Sequence, residues 1–285
     1  MKKRIVALLL VFCLALCFVG CGKNSTDKKD GSENSTPTQS VTLSVNDAVK
    51  KTQELDFVDA SLKMEMKMSA DGMDMTIPVV ADIKAKGLKS DSPIVSTVMT
   101  MSMMGEELKM EMYQENDWVY ITEDGIGYKM SAAEMGSDYD YAGDMKDMLK
   151  TLPDDLVKSA KSEKAEDGTT TYTINMSGEK FTEIFGDFLS GVNEDSGVIG
   201  EDVKLSDVTV KITTANDYVS VYDISFIMDV TVEDVASKLE VKASITYNNP
   251  GKEVVITPPA DYQSFEELGD LGDYEDYEDL EDFEF

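Results

Sequence analysis

The chain has 285 residues, of which 42% are hydrophobic and 29% charged, with 56 acids against 26 bases and a net charge of -30. Such a surface repels nucleic acid and anionic headgroups, which excludes DNA and RNA as partners. It holds no histidine, and its three cysteines all precede Gly22, so zinc, iron and imidazole acid–base chemistry lack their commonest side chains.

Lys2, Lys3 and Arg4 precede an apolar run from Ile5 to Val19 that ends in Gly20-Cys21. A charged start, a short apolar segment and a small residue before the break read as a secretory signal over 1–20. The run falls short of the ~20 residues a membrane span needs. Phe18-Val19-Gly20-Cys21 resembles the lipobox of bacterial lipoproteins, with Phe18 where leucine is usual. The resemblance implies cleavage before Cys21 and a diacylglyceryl group on its sulfur. Losing Lys2, Lys3 and Arg4 would take the mature chain to -33. Two acyl chains at about 0.8 kcal/mol per buried CH₂ would hold it on a membrane, here the outer face of the cytoplasmic membrane. The expected first partner is therefore the membrane, through the N-terminal lipid anchor. Residues 21–40 form the acylated cysteine and a polar tether, whose reach as a flexible coil is roughly 25 Å.

Val41–Leu55 is expected to be helical, with Ser44 as cap and Val45, Ala48, Val49, Thr52 and Leu55 on one face. From Ser61 to Tyr113, apolar residues then take every second position. Leu62, Met64, Met66 and Met68 alternate with Lys63, Glu65 and Lys67. Met73, Met75, Ile77, Val79, Ala81, Ile83 and Ala85 follow, then Val95, Thr97, Met99, Met101 and Met103, then Leu108, Met110 and Met112. Strict alternation reads as consecutive antiparallel strands with one greasy face. Asp71-Gly72, Gly87, Asp91-Ser92-Pro93 and Gly105 punctuate them. Pro78 cannot donate to a ladder and implies an edge or a bulge.

Trp118–Thr122 and Tyr128–Met130 form a further hairpin about Glu123-Asp124-Gly125. Ser131–Lys161 reads as helical pieces: Met145, Met148, Leu149 and Leu152 share a face, and Pro153 opens a short helix carrying Leu156 and Val157. Ser162–Ser177 is a hairpin turning at Asp167-Gly168. Gly178–Val192 is a helix with Phe181, Ile184, Phe185, Phe188 and Leu189 on one side, and Gly191–Gly200 is a loop. Three long alternating strands follow, marked by Val208, Val210 and Ile212, by Tyr222 to Val232, and by Leu239 to Tyr247. Asn249-Pro250-Gly251 turns into a last strand, Glu253–Thr257, stopped by Pro258-Pro259. The sum is one mainly β (β-rich α+β) domain over 41–260, with about ten or eleven antiparallel strands. The Met145–Leu156 and Phe181–Leu189 helices are expected to cover the apolar face.

This order of elements resembles the outer-membrane lipoprotein carrier (LolA-like) fold and, within it, the lipid-carrying lipoproteins of mycobacteria. It is also similar to a group of Gram-positive lipoproteins with the same Met-x-Met-x-Met strands. The lipobox, the tether, Leu62-Lys63-Met64-Glu65-Met66-Lys67-Met68, the Pro153 helix, the helix after Gly178 and the closing Asn249–Pro259 carry the resemblance. It implies a half-open antiparallel β-barrel plugged by short helices, with a concavity for acyl chains and no catalytic residues.

A face paved with unbranched thioethers packs adaptably, so three readings stand: plain core, lipid cavity, or Cu(I) site. Alternation spreads the sulfurs along several strands, and co-ligands from histidine or free cysteine are missing, which weighs against copper. The candidates for a cavity wall are Leu62, Met64, Met66, Met68, Met75 and Ile77 on the first two strands. Met99, Met101, Met103, Met110 and Met112 follow on the next two. Trp118, Phe181, Phe185, Phe226 and Met228 complete the set. No nucleophile elbow, phosphate-cradling glycine loop or metal motif points to an enzyme or to a cofactor. The ligand expected is a lipid or a lipoprotein acyl chain, bound by a monomer without turnover. The competing class is a structural or interaction lipoprotein of the envelope with a fully packed core.

The stretch 261–285 carries twelve acids and no base. Tyr262, Phe265, Leu268, Leu271, Tyr274, Tyr277, Leu280 and Phe283 recur every third residue. That period spirals around an α-helix, so the expectation is a solvated acidic tail, or alternatively a segment whose aromatics dock on the domain.

Overall fold

Period-two alternation with β-branched and methionine side chains on one phase builds strands, and the computed structural model shows where they pair. It describes residues 45–70, 73–90, 92–103, 105–123, 125–132, 149–185, 204–232 and 235–268. The first half holds β1 (Phe57–Ala70), β2 (Met73–Lys86), β3 (Ile94–Met103), β4 (Glu106–Glu115), β5 (Trp118–Glu123) and β6 (Ile126–Ser131). The second holds β7 (Lys161–Lys164), β8 (Thr170–Met176), β9 (Lys204–Ala215), β10 (Tyr218–Val232) and β11 (Val235–Tyr247), with β12 (Glu266–Glu267) last. All twelve lie in one open sheet, in the order β12-β6-β5-β4-β3-β2-β1-β11-β10-β9-β8-β7. The two halves are meanders joined edge to edge where β1 pairs with β11, from Ala60↔Tyr247 to Ala70↔Ser237. Every pairing is antiparallel except β12 on β6.

Helices lie on the apolar side. α1 (Val45–Gln53) buries Val45, Ala48, Val49 and Thr52. α2 (Asp154–Ser159) starts after Pro153, whose missing N–H costs nothing at a helix start. α3 is the described helical stretch 178–185. Asn46 clamps α1 to the segment before α2: its Nδ2 donates to Leu152 O at 2.7 Å, and Leu152 N donates to its Oδ1 at 3.0 Å. Among the described residues no helix is long and apolar enough to cross a membrane.

Pro78 lies opposite Glu65 of β1, and the β2–β3 ladder begins only at Val79↔Met101, so residues 73–78 of β2 are a local edge on the β3 side. Two details depart from the sequence expectations. Glu253–Thr257 forms no ladder. Both sides of β11 are already taken by β1 and β10. The ordered chain also runs past Ala260: Asp261–Leu268 lies on the sheet, with Glu266↔Tyr128 and Glu267↔Lys129 in parallel register. Leu268 N then donates to Lys129 O at 2.8 Å. Met145, Met148, Phe188, Leu189 and the loop 191–200 lie outside the described residues.

Candidate functional site

Cross-strand register turns the alternating residues into continuous apolar rows. One row runs Leu205–Met228–Leu239–Met68–Met75 across β9, β10, β11, β1 and β2. The next runs Phe226–Val241–Met66–Ile77. A third spans eight strands as Ile174–Val210–Ile224–Ala243–Met64–Val79–Met101–Leu108. The fourth is Tyr172–Ile212–Tyr222–Ile245–Leu62–Ala81–Met99–Met110. From β8 to β4 none of these rows carries a charged side chain; Glu123 of β5, opposite Met110, is where charge returns.

Burial grades along the face. Met66 at 1% exposure, Met101 at 3% and Met64 at 5% are packed at its centre, in one core with Leu62, Ile77 and Met99. Phe181 and Phe185 of α3 stack at 4.6 Å between centroids, and Phe181 lies 5.6 Å from Phe226. Toward the Met68–Met75 end of the strands, Met68, Met75, Met103 and Leu239 are only half-buried, although Met228 in the same row is 2% exposed. Leu108 and Met110 on β4, and Ile224, Ala243 and Ile245 further along the rows, are half-buried too. The opposite end is closed by α1. There Thr52 Oγ1 accepts from Val219 N at 2.9 Å while donating to Ala48 O at 2.8 Å, and Lys51 Nζ stands 4.5 Å above the Tyr218 ring. The strands thus run from a closed end to a methionine rim.

One fully buried polar atom interrupts this surface. Tyr222 is 3% exposed and its Oη has no hydrogen-bond partner. Burial, and then the neighbouring Tyr247, push its phenol well above the ordinary value, so it stays protonated and keeps its donor.

A family model matches residues 41–261. The chain belongs to the DUF6612 family, a family of unknown function. No curated protein matches it. Among solved structures it is similar to LprF from Mycobacterium bovis, at 14% identity and a TM-score of 0.38, covering 75% of this chain and 94% of that one. It is also similar to a DUF1329 family protein from Desulfovibrio piger, at 11% identity and a TM-score of 0.24, covering 75% and 92%. Values this low carry no argument about function.

In this DUF6612 chain, ten of the candidate residues share one buried core: Leu62, Met64, Met66, Ile77, Met99, Met101, Phe181, Phe185, Phe226 and Met228. Met68, Met75, Met103 and Met110 pack half-buried against it. Two candidates lie elsewhere. Met112 belongs to a second core with Leu55, Val58, Val95, Val119 and Met130, because its row crosses the sheet nearer the closed end. Trp118 is next to Val119, which is fully buried in that core, and so points to the opposite face, where Lys129 Nζ lies 5.0 Å from its ring. Alternation allows no other outcome once Val119 is inside. Cys21 lies outside the described residues.

Sequence reasoning passed over Tyr222, which alternation alone reads as one more apolar position. It also passed over the outer face of β4–β6, where Tyr113 and Tyr120 meet Tyr262 and Phe265. The signal was present: Tyr113, Trp118 and Tyr120 occupy the polar phase of their strands, where large aromatics need a cover. A cavity of about 530 Å³ also opens on the outer face over β9, β10, β11, β1 and β2, lined by Lys63, Glu65, Val80, Lys211, Asp223 and Lys242 among others. Met64, Val79, Ile224 and Ala243 of the third row are also in its lining.

Proposed function

We propose that this protein is a membrane-anchored extracytoplasmic lipoprotein that binds a lipid or another apolar ligand against its methionine-rich face, without turnover. The observation that carries the reading is the uncharged surface running unbroken across the rows from β8 to β4, packed at Met64, Met66 and Met101 and only half-buried at the rim made by Met68, Met75 and Met103. A dry core has no need of an apolar rim, whereas an entry for acyl chains does. Unbranched thioethers re-pack around ligands with many rotamers, which suits such a wall. Anchoring through Cys21 would keep the domain near the outer leaflet, within reach of the tether.

The test is native mass spectrometry of detergent-free protein lacking Met1–Cys21, followed by lipid extraction. A co-purified lipid is expected. A homogeneous apo mass, together with no uptake of a fluorescent fatty acid, would defeat the reading.

The second reading is an envelope interaction protein whose apolar face is permanently packed. The low exposure of Met64, Met66 and Met101 favours it. Under that reading, loss of any one of these side chains changes stability alone.

A further inference from the structure

We propose that the ligand is an uncharged ester lipid and that Tyr222 Oη donates a hydrogen bond to its carbonyl. This rests on the lipid-binding reading above and narrows its substrate class.

Buried hydroxyls in folded proteins are almost always hydrogen-bonded, and one left alone loses its water without compensation. Tyr222 Oη is such an atom, held between Ile212 and Ile245 in the fourth apolar row. Across the four rows from β8 to β4, the only side-chain oxygens are the hydroxyls of Tyr172 and Tyr222. Tyr172 is half-buried, whereas Tyr222 is enclosed.

The surroundings select what could satisfy it. Burial keeps the phenol protonated, so it needs an acceptor. A carboxylate is an acceptor, but its charge would enter a surface with no cation on any of the four rows, and an unpaired buried charge is far costlier than an unpaired hydroxyl. A hydrocarbon offers no acceptor and leaves the hydroxyl orphaned. An ester carbonyl accepts without bringing charge. The distance also fits: from Met228 on the rim row to Tyr222, six residues of β10 span ~20 Å. An acyl chain with its carbonyl at Tyr222 would therefore lie along the rows of Met64, Met66 and Met68.

The experiment uses protein lacking Met1–Cys21 and three ligands of similar length: methyl palmitate, heptadecane, and palmitate anion. Each competes against a bound fluorescent lipid, in the native protein and in Tyr222→Phe. Relative to the alkane, the ester should bind about tenfold more tightly in the native protein than in Tyr222→Phe, the equivalent of one hydrogen bond at about 1.4 kcal/mol, with palmitate weakest in the native protein. The alkane, which has no acceptor, should bind the two proteins equally. The melting temperature of Tyr222→Phe should stay level or rise, because the change removes an unpaired group and keeps the ring. Palmitate binding best, or an ester-to-alkane preference unchanged in Tyr222→Phe, overturns the inference and leaves lipid binding standing. No binding of the fluorescent lipid to the native protein removes the lipid reading and this inference with it, and a bound fluorescent lipid that none of the three displaces overturns the inference alone. The ranking in the native protein is readable even if the variant fails to fold.

Discussion

Phe265 lies so close over Gly127 that a Cβ built on the glycine would stand about 2.5 Å from the ring. Gly127 is on β6, and Phe265 belongs to the segment that leaves the domain after Pro258-Pro259. Their contact helps strap Asp261–Leu268 to the sheet. Tyr262 stands edge-on to Tyr120 at 4.8 Å and 87°, and its Oη donates to Glu115 Oε2 at 2.9 Å. Leu268 then packs against the second core. The strap covers the outer edge strand, which would otherwise offer unpaired backbone groups to another chain.

Gly127→Ala should evict Phe265 and loosen the strap without unfolding the sheet. Loss of the aromatic contacts is worth about 1–3 kcal/mol locally. Hydrogen exchange should show faster exchange at Leu268 and Lys129, with β1, β10 and β11 unchanged. Equal protection in the variant would mean that the strap does not depend on this contact.

The strap should also respond to alkali. Burial first, and then the charge of Glu115, push the Tyr113 phenol from its ordinary 10.0 to about 12. The folded state thus holds this proton more tightly than the unfolded chain does. The stability it contributes is complete below about pH 10 and lost as the pH rises through about 12. Burial raises Tyr120 in the same direction. Tyrosinate absorbance should show a late-titrating component that shrinks by one tyrosine in Tyr113→Phe, and strap protection should fall across the same interval.

The graded burial of the methionines predicts graded costs. Met66→Ala should destabilise by about 2–5 kcal/mol, the range for emptying a packed core site. Met75→Ala, at the half-buried rim, should cost less than about 1.5 kcal/mol. Met66→Asp should unfold the protein, because the charge has no partner there. Met75→Asp should fold and lose lipid uptake. Denaturant melts with mass analysis of bound lipid separate the two positions, and a folded, lipid-loaded Met75→Asp would show that the rim is not the entry.

The closed end depends on one side chain. Thr52 Oγ1 accepts from the buried Val219 N, so Thr52→Val keeps shape and volume while leaving that donor orphaned. The expected loss is about 1–3 kcal/mol. Thr52→Ser should recover most of it. A valine variant as stable as the native protein would mean that α1 is held by its apolar contacts alone.

Much of the fold was legible in the residues. The bounds of β2, the Asp167-Gly168 hairpin and the Pro153 helix follow from local rules: period-two patterning, turn glycines, and proline at a helix start. The apolar phase of β1 to β3 was readable too, since a shift of one residue would turn every methionine outward. Pairing partners were not, because pairing is non-local: nothing near Leu62 indicates that Ile245 lies beside it. That pairing joins the two halves of the sheet and turns separate alternating segments into continuous rows.

The sequence by itself determined a mainly β chain with one uncharged, methionine-rich face, an acidic surface and a lipobox-like start at Cys21. These depend on composition and on spacing along the chain. Only the tertiary structure decided which methionines are packed and which form a rim, because α1 and α3 cover one end and the centre of the face. It moved Trp118 to the other side through the burial of Val119, and Met112 into a second core through cross-strand register. It carried the fold past Ala260 as the strap under Tyr262 and Phe265. It also left Tyr222 Oη without a partner, a fact set by what surrounds the side chain in space and invisible to any pattern along the chain.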